Sequence, residues 1–152
     1  MRTAIIAAVN WATHTASRLR DAGYRSGGAR RAVIELLDGQ SCCLTAQEVH
    51  DRLRAGGRAV GIASVYRVLD LLAELRLVQR VDVGAGPARY EPVQPTGEHH
   101  HHAVCDDCGK VEAFADESLE RAIDAAGGVV PFDVRGHEVV LHGSCSDCRT
   151  AA

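Results

Sequence analysis

Four of the six cysteines stand in two C-x-x-C pairs, Cys105-Asp-Asp-Cys108 and Cys145-Ser-Asp-Cys148. Each pair presents two sulfurs from one tight turn. Two such turns supply the tetrahedral thiolate set that zinc binds at ~2.3 Å. A redox motif would account for one pair and leave the other unexplained, and unrelated buried thiols would leave both. The spacing therefore predicts a closed structural zinc site that holds the second half of the chain together. It also argues for a reducing compartment, where paired cysteines serve as ligands rather than disulfides.

Charge divides the 152 residues at the same place. Residues 1–97 hold 13 Arg and no Lys against nine acids, whereas residues 98–152 hold four basic against 11 acidic residues and six of the eight histidines. A basic first half suits a polyanion and an acidic second half suits a cation. The apolar start, 1–9, lacks the long core of a secretion signal, and no run approaches the ~20 residues that cross a bilayer. The expectation is a cytoplasmic protein with no membrane partner.

In the first half, helices are expected at Ala16–Ala22, at Ala29–Leu37 and from a capping box at Thr45/Glu48 to Ala55. A fourth is expected from Ala63 to about Arg76, with Val65, Val68, Leu69, Leu72 and Leu75 on one face and Tyr66, Arg67 and Asp70 on the other. The alternating runs Leu77–Val83 and Ala88–Val93, joined by Gly84-Ala-Gly-Pro87, read as a β-hairpin. Helices followed by a hairpin give the order of a winged helix-turn-helix. Pro92–Gly97 reads as a hinge. Beyond it, short strands flank the first C-x-x-C, Ser118–Ala126 reads as a helix, and Val129–Val134 and Glu138–His142 read as strands. The fold class expected is α+β: a DNA-binding winged helix over 1–92, a hinge at 93–98, and a small α/β dimerisation domain over 99–152.

Two further clusters carry chemistry. In an extended His99-His-His-His102, alternate side chains face opposite ways, so one run can feed two metal sites. Histidines alone make a solvated loop, but His137, Glu91, Glu120 and Cys43 are further candidate ligands. Imidazole with carboxylate suits zinc, iron, nickel or manganese, and a thiolate favours zinc. At the start of the fourth helix, Ser64, Tyr66 and Arg67 stand where a recognition helix meets base edges, and Arg25, Arg30 and Arg31 can neutralise phosphate. No Gly-rich phosphate loop or nucleophile elbow is present, and Cys42 or Cys43 with His50 is a weak nucleophile–base pair, so an enzyme is not expected.

The combination Gly23-Tyr-Arg25 with Arg30, Thr45-Ala-Gln-Glu-Val, Val60-Gly-Ile-Ala-Ser-Val-Tyr-Arg-Val-Leu69, His99–His102, Cys105-x-x-Cys108-Gly-Lys-Val, His137 and Cys145-x-x-Cys148 resembles the ferric uptake regulator (Fur) family over residues 16 to 148. The resemblance implies a homodimeric, metal-dependent repressor of metal-uptake genes that binds a palindromic operator in double-stranded DNA. It assigns structural zinc to Cys105, Cys108, Cys145 and Cys148. It assigns an additional site to His99, His101, Glu120 and His137, and a regulatory site to Cys43, Glu91, His100 and His102. DNA contacts would come from Arg25 near the minor groove and from Ser64, Tyr66 and Arg67 in the major groove. Iron and peroxide sensors of the family have His where Cys43 stands, and peroxide sensors have Asp in place of Glu91. The zinc-sensing branch takes a Cys near the position of Val93. The set present here favours Zn2+ over Fe2+ as the second ion, with iron, another divalent metal or peroxide as the alternative signals. Whether Cys42 or Cys43 supplies the thiolate stays open at this point.

Overall fold

The computed structural model describes residues 10–84 and 86–151. The apolar start 1–9 and Ala85 of the hairpin turn lie outside them. The chain forms two compact units, Met1–Glu98 and His99–Ala152.

In the first unit, helix α1 spans Trp11–Asp21 and α2 spans Gly28–Asp38. Strand β1 (Leu44–Thr45) leads into α3 (Ala46–Ala55), and α4 covers Ile62–Glu74. Strands β2 (Val78–Val81) and β3 (Arg89–Pro92) follow. The sheet is antiparallel in the order β1-β3-β2, with Val81 opposite Arg89 and Leu44 opposite Tyr90. This is the helix-and-hairpin order expected, with β1 added as a short third strand.

Local chemistry sets these boundaries. The Asn10 side chain caps α1 by accepting from the Thr13 N–H at 3.1 Å, and Asp38 grips the same end through the Ala12 N–H at 3.1 Å. The helix therefore begins at Trp11 rather than Ala16, and the buried Trp11 donates its Nε1–H to the Leu77 carbonyl at 2.9 Å. The Thr45/Glu48 capping box is present: the Thr45 hydroxyl accepts from the Glu48 N–H at 3.1 Å, and the Glu48 carboxylate accepts from the Thr45 N–H at 2.8 Å. Arg89 of β3 reaches the same carboxylate at 3.1 Å, tying the start of α3 to the sheet.

Helix α4 ends in a Schellman turn. The Leu77 N–H bonds to the Leu72 carbonyl at 2.8 Å and the Arg76 N–H to that of Ala73 at 3.0 Å, while Arg76 sits at φ 56°. The core is built at helical spacing: Val65, Val68, Leu69 and Leu72 of α4 pack with Val33 and Leu37 of α2 and Val49 of α3.

The second unit places β4 (His101–Cys105) between β5 (Val111–Phe114), antiparallel, and β6 (Val140–Gly143), parallel. Helix α5 (Glu117–Gly127), capped by the Asp116 side chain on the Leu119 N–H at 2.8 Å, supplies the crossover a parallel pair requires. A short α6 (Ser146–Thr150) closes the described chain. The segment Val129–Val134 is not a strand, contrary to expectation, because Pro131 has no N–H to donate and no strand pairs with it among the described residues. Its apolar residues are exposed instead, Val129 by 82% and Phe132 by 77%. Among the described residues of this unit, Val104 and Cys105 are the only buried hydrophobic side chains.

Candidate metal centres and nucleic-acid interface

The four sulfurs of the C-x-x-C pairs converge, all within 4.8 Å of one another. Cys105 ends β4, and its register partner Gly143 ends the parallel strand β6, so the sheet delivers both turns to one point. Cys108 Sγ and Cys145 Sγ lie 3.8 Å apart. A tetrahedron with ~2.3 Å metal–sulfur bonds has edges of about 3.8 Å, so the geometry fits zinc. The donors are also unequal in acidity. The Cys145 backbone N–H points at Cys105 Sγ at 3.2 Å, and with the Cys108 N–H it lowers that thiol to about 6. Hydrogen bonding to the thiols of Cys145, Cys108 and Cys105 pushes Cys148 up. The Cys105 thiol thus ionises more readily than that of Cys148, and a bound cation would favour the thiolate form of both.

The second set is equally compact. His99, His101, Glu120 and His137 bring one donor atom each within 4.8 Å of the others. The Glu120 carboxylate lies 2.5 Å from His101 Nε2 and 3.2 Å from Nε2 of both His99 and His137. The His99 and His137 nitrogens are 3.1 Å apart. Burial disfavours ionisation of Glu120, but the His101 hydrogen bond and the charges of His99 and His137 outweigh it and hold the carboxyl below its ordinary range. Three imidazoles and one carboxylate fit a four-coordinate divalent metal.

The residues expected at a regulatory site are found in pairs, each within its own unit. In the first unit, Cys43 immediately precedes β1 and so continues the register opposite Glu91 of β3; its sulfur and a Glu91 carboxylate oxygen lie within 4.8 Å. Both are buried. The Cys43 thiol is pushed up by the neighbouring Cys42 thiol, then by burial and by the Glu91 charge. In the second unit, the His100 and His102 rings meet edge-on with centroids 5.1 Å apart, and His99 and His101 pair edge-on at 5.4 Å on the opposite face. Strand alternation predicted that division. Cys42, which sequence reasoning left as an alternative to Cys43, has its sulfur 3.8 Å from that of Cys43.

At the other end of the first unit, Ser64, Tyr66 and Arg67 occupy the first two turns of α4. Arg67 and Tyr66 are exposed, Tyr66 by 45%, and the Arg67 guanidinium donates to Ser64 Oγ at 3.1 Å. In the first turn of α2, Arg30 reaches back to the link from α1, stacking over the Tyr24 ring at 5.5 Å and donating to the Arg25 carbonyl. Arg25 and Arg31 are exposed. The helix–turn–helix and its adjoining link thus present cationic side chains to solvent.

Known proteins match this arrangement. The model of the Ferric uptake regulator family covers residues 21–142. The ferric uptake regulation protein of Legionella pneumophila is 35% identical over 133 residues, spanning 87% of this chain and 96% of that protein. That of Bacillus subtilis is 31% identical over 133 residues, 86% of this chain and 89% of the other. Among solved structures, the Vibrio cholerae ferric uptake regulator superposes with a TM-score of 0.74 at 30% identity, covering 85% of this chain and 98% of that one. The chain therefore belongs to the Ferric uptake regulator family of metal-dependent transcription regulators and is not an enzyme.

Proposed function

We propose that this protein is a zinc-responsive repressor of metal-uptake genes. It works in the cytoplasm as a homodimer on a palindromic operator in double-stranded DNA. The observation that carries the metal assignment is the buried pairing of Cys43 with Glu91 in the DNA-binding unit, where a thiolate beside a carboxylate favours zinc over iron. His100 and His102 would complete the regulatory site. Structural zinc would sit on Cys105, Cys108, Cys145 and Cys148, and the His99, His101, Glu120 and His137 set would take an additional divalent ion. When bound, an ion at the regulatory site would tie 1–92 to 99–152 across the hinge at 93–98.

The switch works by restraint. A dimer with two free winged helices presents Ser64, Tyr66 and Arg67 at no fixed spacing, whereas a two-fold operator demands one. The crystal structure of the Vibrio cholerae regulator is described as revealing a structural rearrangement of the DNA-binding domains, which supports mobility of that kind in a relative. Arg25 and Arg30 would add phosphate contacts. Dimerisation is supported by the exposed apolar surface of the second unit, Val129, Val130, Phe132, Val134 and Leu141, which needs a cover. Among the described residues, no helix is long and apolar enough to cross a membrane.

Operator affinity measured while Zn2+, Fe2+, Mn2+ and Ni2+ are titrated tests this reading. Zinc should tighten DNA binding by ~1–3 kcal/mol, roughly 5- to 150-fold, and operator should tighten zinc binding by the same factor. Equal affinities with and without metal would leave a DNA binder without a switch. Iron sensing is the second reading, favoured by the names of the relatives, and a larger effect of Fe2+ at buffered free-metal levels would establish it.

A further inference from the structure

Consecutive side chains of an extended chain point to opposite faces. At Cys42 and Cys43 they do not. The chain bends through Ser41 and Cys42 before β1, and the two Sγ atoms approach to 3.8 Å. That separation equals the Cys108–Cys145 edge of the four-thiol set, the edge expected for two sulfurs on one tetrahedral ion. Cys43 is buried and Cys42 half-buried, and a Glu91 carboxylate oxygen stands within 4.8 Å of Cys43 Sγ.

We propose that Cys42 and Cys43 act together as a chelating dithiolate at the sensing site, selecting a thiophilic divalent cation such as zinc over the oxygen- and nitrogen-preferring Fe2+ and Mn2+. The inference rests on the sensing-site reading above and adds Cys42 to it as a determinant of metal selectivity, so that a four-coordinate ion held by both sulfurs would take its remaining two ligands from Glu91, His100 and His102. Binding exchanges two S–H bonds for two metal–sulfur bonds and releases two protons to solvent, and no electron is transferred. A second thiolate supplies what one thiolate in a His/carboxylate set lacks. Softness matched by two sulfurs penalises the harder metals, whose affinity for such a site lies lower in any case.

The test uses the full-length dimer with its structural zinc in place, verified by native mass spectrometry, and Co2+ as the probe. In the wild-type chain Co2+ bound at the sensing site should show thiolate-to-metal charge-transfer absorption, which the His99, His101, Glu120 and His137 set, lacking sulfur, cannot give. Cys42→Ser and Cys43→Ser should each keep about half of that band, and the double variant should lose it. Cys42→Ser and, as a second replacement, Cys42→Ala should lower zinc affinity by about tenfold or more and leave Mn2+ affinity nearly unchanged, collapsing the preference. Circular dichroism establishes that each variant is folded. An unchanged band and an unchanged Zn2+:Mn2+ preference in both Cys42 variants would overturn the inference while leaving the sensing site standing. Wild-type protein that takes up no ion at this site would remove the sensing-site reading and the inference with it.

Discussion

Cys105→Ser tests how far the second unit depends on metal rather than on apolar burial. With Cys105 taken as a metal ligand, Val104 is the unit's only buried hydrophobic side chain among the described residues, and that burial contributes about 1.5–3 kcal/mol. Structural zinc in small domains is worth ~10–16 kcal/mol at neutral pH, more than this burial and as much as a whole domain's usual stability. Serine keeps the size of the side chain and removes the sulfur that ends β4, and with it the anchor that sets β4 against β6 at Gly143. The variant should lose one zinc per chain. Amide exchange should become fast across β4, β5 and β6, whereas α2, α3 and α4, packed on their own core, stay protected. Native mass spectrometry counts the metal and hydrogen exchange reads the two units separately. Protection of β4 equal to that of α4 in zinc-free variant protein would refute the reasoning, because an unrecognised apolar core would then hold the unit.

Other outcomes follow from single features. Tyr66→Ala and Arg67→Ala should each weaken operator binding by ~1–3 kcal/mol while changing stability by less than about 0.5 kcal/mol, read by fluorescence anisotropy against a denaturant midpoint. Zinc binding to the four-thiol set should release about four protons at pH 5 and fewer at pH 7.5, because the backbone N–H groups facing Cys105 lower that thiol and make it the first to ionise. Calorimetry in buffers of different ionisation enthalpy measures that number, and four at both pH values would contradict the assignment. Arg76→Gly should raise stability by about 0.5–1 kcal/mol, since a non-glycine residue at φ 56° carries a left-handed penalty, and thermal unfolding checks the sign.

The features legible in the sequence are those whose signal is local. Thr45 and Glu48 announce the start of α3 because a capping box spans four residues, and α4 shows its apolar face because its packing repeats every turn. The two zinc turns are explicit in their C-x-x-C spacing. What the sequence hides depends on distant partners. Helix α1 starts at Trp11 because of the Asp38 carboxylate and the Leu77 carbonyl, 26 and 66 residues away. Val129–Val134 has the composition of a strand, but composition does not show that Pro131 breaks the ladder or that no neighbouring strand takes it up. The closeness of the Cys42 and Cys43 sulfurs comes from a bend that no apolar pattern marks.

Strand β4 and the two residues before it place His99 and His101 on one side and His100 and His102 on the other. Both donor sets are thus written in a single reading frame. Inserting or deleting one residue inside β4 between His102 and Cys105, with the Cys105 end held in register against Gly143, would shift every imidazole by one place and trade the faces of the two pairs. On the face of His99 and His101 the partners are Glu120 and His137, which can change without disturbing the ladder, while the histidine ladder itself tolerates no change of parity.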